Sequence, residues 1–442
     1  MYNEHNTLEV CDLRGKRLIF LISAIVVVVV AVTALVTHAV TIETMREGGE
    51  IYIKGDEYEK LMEYFELDDL KKVLDESYYA DTEDMNVSTG ALKGMVSALG
   101  DGYSAFYEEE DFKYFDEKSE GSYIGQGMML KKNRSTGYAM VSRVFADTPA
   151  FDANIQVGDL ILEIDGRDTR KIDIDNAVSR LRGLDGTELS LKVRSGDTDM
   201  DVTIVRKSPD IEVVFSDMPT PTVGYINILE FSGTSVDDFK KAVDTVTHEG
   251  AKGIVIDVRG NPGGFVNQAA DISNLLLSSG RICYTMSKNG EGSTWNADAN
   301  ILTELPIIVI VDGETQGAAE VFAAALQGNK RAVVIGEKTV GKGVALSFIQ
   351  VGSNGDGVKL ATAEYYTATG EALNGQGVTP DEAVSAGNAD NAQEDTMLNR
   401  AVELLNSLSG ESDGVTAEST EMPTGEAEKP KDAQVAQVQG AE

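Results

Sequence analysis

Two stretches of this chain are apolar almost without a break and short enough to be strands. They are Gly253-Ile254-Val255-Ile256-Asp257-Val258 and Leu305-Pro306-Ile307-Ile308-Val309-Ile310-Val311. A strand with one wetted face alternates apolar and polar residues, so a strand that does not alternate must be covered on both faces. Each run leads into a turn and then into helical spacing. Gly260-Asn261-Pro262-Gly263-Gly264 turns the first, and Asn267 to Leu277 follows as a helix. After the second, the pattern predicts a helix from about Ala318 to Gln327, capped by Gly328. Alternation of this kind predicts a mixed α/β core, assigned to residues 209–390, with a terminal helix at 391–409.

The pattern upstream is different. Residues 41–119 are acidic and helical: Leu61, Met62, Tyr64, Phe65, Leu67, Leu70, Val73 and Leu74 recur at helical spacing, and Thr89 to Leu99 forms a second helix. Residues 120–208 read as short strands and turns. Within them, Asp147-Thr148-Pro149-Ala150 and the run from Ile155 to Gly166 resemble a PDZ domain. Gly158-Asp159 would make the turn, Leu160 to Ile164 the core strand, and Asp173 to Arg182 the groove helix. PDZ domains bind a peptide as an added strand and capture its terminal carboxylate with backbone N–H groups. The loop for that task would be Tyr123, Ile124, Gly125, Gln126 and Gly127, where glycines permit close approach of backbone. The competing reading is a small β-barrel that binds nothing, because a fold does not guarantee a site.

At the amino end, Leu18 to Val36 is apolar for nineteen residues, about enough at 1.5 Å per residue to span a hydrocarbon core of about 30 Å. Arg14, Lys16 and Arg17 precede it, whereas Glu43, Glu47 and Glu50 follow. The expectation is a cytoplasmic tail at 1–17, a single-pass cell-membrane anchor at 18–40, and a main body outside the cytoplasm. A cleaved signal peptide is the alternative. Its apolar run is usually shorter, and Val36-Thr37-His38-Ala39 is a poor cleavage site. Residues 410–442, rich in Glu, Ser, Thr, Gly and Pro, are expected to be a disordered acidic tail.

Charge and cysteine usage narrow the function classes. With 38 Lys+Arg against 73 Asp+Glu, the net charge is -35, which repels nucleic acid. Such a field favours cationic partners or simply solubility. Cys11 and Cys283 fall on opposite sides of the expected anchor, so no intrachain disulfide is expected. The three histidines are scattered, and the sequence implies neither a metal site nor a cofactor.

Five blocks, in order, carry a wider resemblance. They are Leu99-Gly100-Asp101-Gly102-Tyr103-Ser104; the PDZ pattern; Asp257-Val258-Arg259-Gly260-Asn261-Pro262-Gly263-Gly264; Gly336 to Gly343; and Glu364-Tyr365-Tyr366-Thr367 with Gly375 to Asp381. Together they resemble the C-terminal processing peptidases, which use a Ser/Lys dyad. The resemblance implies a crotonase-like α/β protease core with an inserted PDZ domain that recognises protein C-termini. It also implies dimers through helical terminal regions, which makes 57–80 and 393–408 candidate contacts. By motif, Lys342 matches the general base, and Gly263 or Gly264 with the N–H of Ala318 matches the oxyanion hole.

Two matched positions depart from the family. Alignment on Ala318-Ala319-Glu320-Val321-Phe322 puts the nucleophilic serine on Gly317. The glutamine that orients the lysine falls on Leu346. Glycine cannot attack a carbonyl, so the expectation is a peptidase scaffold with impaired catalysis that still binds C-terminal tails. The alternative is an active endopeptidase using a displaced hydroxyl, Thr315 or Ser347, with Lys342 as base. Lys342 is also expected to pair with Glu320.

Overall fold

The computed structural model describes residues 26–38, 54–62, 64–82, 86–116, 124–207, 211–385 and 395–412. The chain divides into two compact units, Met1–Ala91 and Leu92–Glu442. In the first, residues 26–38 are helical, followed by helices Gly55–Met62 and Phe65–Ser77. Among the described residues no helix is long and apolar enough to cross a membrane; 18–25 and 39–40 of the expected span lie outside them. The helix Phe65–Ser77 buries none of its residues, so Leu67, Leu70 and Val73 leave an apolar stripe exposed.

The second unit carries three sheets. One has six strands, in the order Glu382–Ala383, Ala332–Gly336, Ile307–Val311, Gly253–Asp257, Val223–Ile228 and Val214–Thr220. All neighbours are parallel except the last pair. Because consecutive strands lie side by side, right-handed crossovers send their helices to one face. Those helices are Ser235–His248, Val266–Asn274 and Ala318–Gly328. The opposite face is covered by the terminal helix Thr396–Ser412, through Met397, Ala401 and Leu405. The unbroken apolar runs follow directly. Ile254 and Ile256 pack with the first helical layer while Val255 packs with the second. Val309 and Val311 divide from Ile308 and Ile310 in the same way.

Two sequence details differ. The helix after the glycine turn stops at Asn274 rather than Leu277. Gly328 is the last helical residue of its helix, and Asn329 closes it by donating Nδ2 to the Ala325 carbonyl at 2.8 Å. A side-chain amide there satisfies an end carbonyl that a glycine cap would leave to backbone.

The second sheet is antiparallel and built on the long strand Gly357–Thr367, which pairs with Ala105–Tyr107, Val344–Gln350 and Arg281–Ser287. The third is an antiparallel sheet running Ile124–Gly125, Met128–Lys132, Ala139–Val144, Leu160–Ile164, Glu188–Ser195 and Thr198–Val205. It packs its own apolar core against the helix Ile174–Leu181. Asp173 caps that helix by accepting the Asn176 N–H at 2.8 Å.

The same helix is fastened to the second sheet by a buried lysine. Lys359 is 3% exposed, and its ammonium donates to Asp173 at 2.7 Å and Asp175 at 2.8 Å. Burial acts to raise the Asp175 carboxyl, but the nearby Lys342 and Lys359 ammoniums outweigh it and hold Asp175 below the usual carboxylate range. Burial acts to lower Lys359, but Asp175 and Asp173 outweigh it and push Lys359 above its ordinary value. A depressed carboxyl contributes stability above its unfolded pKa of about 4 and loses it as pH falls through the folded value. A raised lysine contributes below about 10 and loses its share as pH climbs. Lys359→Met is therefore expected to cost roughly 2–3 kcal/mol near neutral pH, discounted because both aspartates are partly exposed. Urea unfolding across the acid range should show that gap closing below about pH 4. A gap unchanged by pH would remove the ion cluster from the explanation.

Candidate active site

Three loops converge at the carboxyl ends of adjacent parallel strands, where open α/β sheets place ligands. The first follows Gly253–Asp257. Asp257 is buried and accepts from Arg259 Nε at 3.0 Å and from the Tyr225 hydroxyl at 2.8 Å. Arg259 reaches on to Asp395, just before the terminal helix, at 2.6 Å. Asn261, also buried, donates to the Ile228 carbonyl at 2.9 Å and accepts the Gly263 N–H at 2.8 Å. The turn is thus pinned from both sides. Gly263 has φ 105°, and a Cβ on it would lie 3.0 Å from the Gln316 carbonyl oxygen. Glycine is required there for conformation and for close approach.

The second loop follows Ile307–Val311. Asp312 accepts the N–H of Thr315 at 2.8 Å, and the Thr315 hydroxyl lies 2.9 Å from both the Val258 carbonyl and the Asp312 carboxylate. This knot delivers Gly317 to the start of helix Ala318–Gly328 with φ 62° and ψ -119°. A Cβ built on Gly317 would lie 4.0 Å from Lys342 Cδ and 3.8 Å from both Gly263 Cα and the Pro262 carbonyl oxygen. The Cβ position is thus in ordinary van der Waals contact with the lysine side chain.

Lys342 comes from the third loop, after Ala332–Gly336, and Glu320 holds that loop in place. The Glu320 carboxylate is fully buried in a helix with no other charged residue. It accepts the N–H groups of Gly317 at 2.9 Å, Gly341 at 2.6 Å and Lys342 at 2.8 Å, and the Thr339 hydroxyl. The expected Lys342–Glu320 partnership therefore runs through the lysine's main chain. One carboxylate ties the helix start to the lysine loop.

Around these groups lies a cavity of about 380 Å³. Gly264, Gly317, Ala318, Lys342 and Leu346 line it, with Phe265, Val266 and Tyr365 as apolar wall. The helix Ile174–Leu181 and the residue after it contribute Asp175, Val178, Ser179 and Arg182. Of the possible oxyanion donors, the Gly263 N–H is taken by Asn261. The N–H groups of Gly264 and Ala318 meet no acceptor among the described residues. Neither Thr315 nor Ser347 lines the cavity. Thr315 is fully buried in its turn, and the Ser347 hydroxyl faces Thr362 Oγ1 at 2.9 Å.

In the antiparallel module, Ile124 and Gly125 form a short strand. A Cβ on Gly125 would lie 2.7 Å from Leu181 Cβ, and one on Gly127 would overlap the Thr148 side chain at 2.0 Å. Gln126 is buried, its side-chain oxygen accepting the Lys207 N–H at 3.0 Å. Tyr123 lies outside the described residues. A single helix thus touches this loop through Leu181 and the cavity through Asp175, Val178 and Ser179. Sequence reasoning missed those cavity residues, and nothing local marks them, because they come from another module. Glu320 left a usable signal: it is the lone charge in Ala-Ala-Glu-Val-Phe-Ala-Ala-Ala-Leu. The Leu99 to Ser104 block serves as a turn. Asp101 accepts the N–H groups of Tyr103 and Ser104 at 2.7 Å, and Ser104 Oγ accepts the Ala361 N–H at 3.0 Å.

Residues 222–384 match Peptidase family S41, and residues 116–194 match the PDZ domain. The carboxy-terminal processing protease CtpA of Bacillus subtilis (strain 168) is 32% identical over 369 residues, covering 83% of this chain and 77% of that protein. The carboxyl-terminal-processing protease of Synechocystis is 32% identical over 300 residues, 66% of this chain and 70% of its own. A solved structure, the photosystem II D1 C-terminal processing protease, shares the fold with a TM-score of 0.52 at 23% identity. It covers 72% of this chain and 86% of its own. Identity at that level across most of both sequences makes this chain a member of the C-terminal processing peptidases of family S41.

Proposed function

We propose that this chain is a membrane-anchored, extracytoplasmic pseudopeptidase that holds protein C-terminal tails without cutting them. The observation that carries the reading is Gly317, whose absent side chain would stand 4.0 Å from Lys342 Cδ beside two backbone N–H donors. Of the matched centre, the lysine and the oxyanion-hole residues are there, and the atom that attacks is not. Leu346, lining the same cavity, supplies no hydrogen bond to orient the lysine. The PDZ module supplies tail recognition, the apolar segment before residue 37 supplies the anchor, and the exposed stripe on Phe65–Ser77 suits a second copy of the chain. A fluorescent peptide with an apolar free C-terminus should bind saturably and be released by amidation of that terminus. The same peptide should be recovered whole after prolonged incubation; cleavage that disappears in Lys342→Ala would sink the reading.

A further inference from the structure

We infer that Asn354-Gly355 is a self-modification site: Asn354 deamidates through a cyclic imide, and the isoaspartate so formed loosens the helix Glu109–Asp116 beside it. The sequence holds three Asn-Gly steps, Asn289-Gly290, Asn354-Gly355 and Asn374-Gly375. Such a step is reactive because glycine has no Cβ to shield its backbone nitrogen or restrict its approach. That nitrogen must attack the asparagine Cγ, so an N–H already held in a hydrogen bond is hindered. The Gly290 N–H donates to the Ser287 carbonyl at 3.0 Å, and the Gly375 N–H to the Gly341 carbonyl at 2.9 Å. Asn374 is restrained a second time, its Nδ2 donating to Glu364 at 2.8 Å. The Gly355 N–H meets no acceptor among the described residues. Asn354 is exposed, and its side-chain oxygen accepts only a long bond from Ser353 Oγ at 3.5 Å. Asn289 is exposed as well, so the hydrogen bond and not exposure separates the two.

In the first step the Gly355 nitrogen bonds to Asn354 Cγ and gives up its proton, and Nδ2 leaves as ammonia. Water then opens the ring. Addition at Cγ gives an ordinary aspartate, whereas addition at the Asn354 carbonyl carbon gives isoaspartate, with Cβ now inside the main chain. The net change is amide plus water to carboxylate plus ammonium. It needs nothing from the peptidase centre and proceeds whether or not that centre cuts. The turn that would lengthen is the seat of Glu109–Asp116. Asp356 accepts the Glu109 N–H at 2.9 Å. A Cβ on Gly355 would lie 2.6 Å from Glu109 Cγ, and one on Gly357 would lie 2.2 Å from the Phe112 ring. A turn packed that closely takes up an extra main-chain carbon only by shifting the helix, and the new carboxylate stands beside Glu109 and Asp356. The helix carries Phe115, which stacks on Phe348 with ring centroids 4.8 Å apart, and both rings line the cavity at Lys342.

The test ages the full chain, folded, at mildly alkaline pH, where the attacking nitrogen loses its proton more readily. Peptide mapping by mass spectrometry then follows the replacement of amide by acid at each Asn-Gly step, with isoaspartate told from aspartate by fragmentation. Conversion at Asn354 should run about tenfold faster than at Asn289, the factor one backbone hydrogen bond of ordinary strength is worth, and Asn374 should be slowest. Hydrogen exchange of residues 109–116 should quicken in the aged chain by about tenfold, as for loss of one hydrogen bond holding the helix. Asn354→Gln, whose longer side chain closes the ring poorly, should age without that change. Conversion at Asn289 or Asn374 that matches or leads Asn354 would overturn the site. Conversion at Asn354 with exchange of 109–116 unchanged, or an equal rise in aged Asn354→Gln, would overturn its link to the helix.

Discussion

Gly317→Ser combined with Leu346→Gln is expected to give a chain that cleaves an unstructured polypeptide at least about a hundredfold faster than the native one. Removing the nucleophile of a serine peptidase costs about a millionfold in turnover, with about a thousandfold acceleration left in binding and oxyanion stabilisation. The residual machinery is what this structure retains. A serine at 317 would project its Cβ to within 4.0 Å of Lys342 Cδ, at the start of a helix and next to the free N–H groups. Glutamine at 346 would return a hydrogen-bonding group to the lysine's cavity. A cost comes with it. The backbone at 317 has φ 62°, a region that only glycine adopts freely, so the serine variant should lose about 1–2 kcal/mol of stability. The check is cleavage of unfolded casein by the native chain, each single variant, the double variant, and the double variant with Lys342→Ala. Cleavage in the double variant that vanishes with Lys342→Ala would mean that the serine and the orienting glutamine are all that the native centre lacks. An inert double variant, folded by circular dichroism, would mean that the cavity geometry has drifted further than these two residues.

Glu320→Ala is expected to be the most damaging single change in the site, costing about 3–5 kcal/mol in urea unfolding. The carboxylate is fully buried and satisfies three backbone N–H groups and one hydroxyl. Alanine would leave all four donors without their acceptor and open a cavity between helix and loop. Glu320→Gln keeps the volume but loses the charge and one acceptor, so about 1–3 kcal/mol is expected. In the revived double variant, either substitution should also depress cleavage, because the lysine loop loses its tie to the helix that carries residue 317. A loss below about 1 kcal/mol for the alanine variant would show that the loop holds itself.

How much was legible beforehand differs between the two halves of the problem. The sheet was readable because burial on both faces leaves an unmistakable trace: Ile254, Val255 and Ile256 are all fully buried, toward different helical layers. The PDZ strand Leu160–Ile164 and its helix were readable because turn and cap chemistry are local. The helix end at Asn329 was not, since an asparagine cap and a glycine cap compete over one residue. The convergence of Gly264, Gly317, Lys342 and Leu346 came from motif resemblance, not from spacing.

The role of Glu320 and the fourth wall of the cavity lie deeper. A buried charge announces itself by its rarity in an apolar helix, but its partners at 339, 341 and 342 are on another loop. Asp175, Ser179 and Arg182 come from a module inserted between the first helices and the core, about 140 residues before Gly317 in sequence. By itself, then, the sequence determined the layers and the order of the elements. Those follow from periodicity, turn chemistry and side-chain type, which act within a few residues. Only the tertiary structure decided which N–H groups are left without acceptors, which hydroxyls are locked away from the cavity, and which carboxylate steadies the lysine loop. Those are matters of distance between segments far apart in the chain, and hydrogen bonding is decided by distances of about 3 Å that no local pattern encodes.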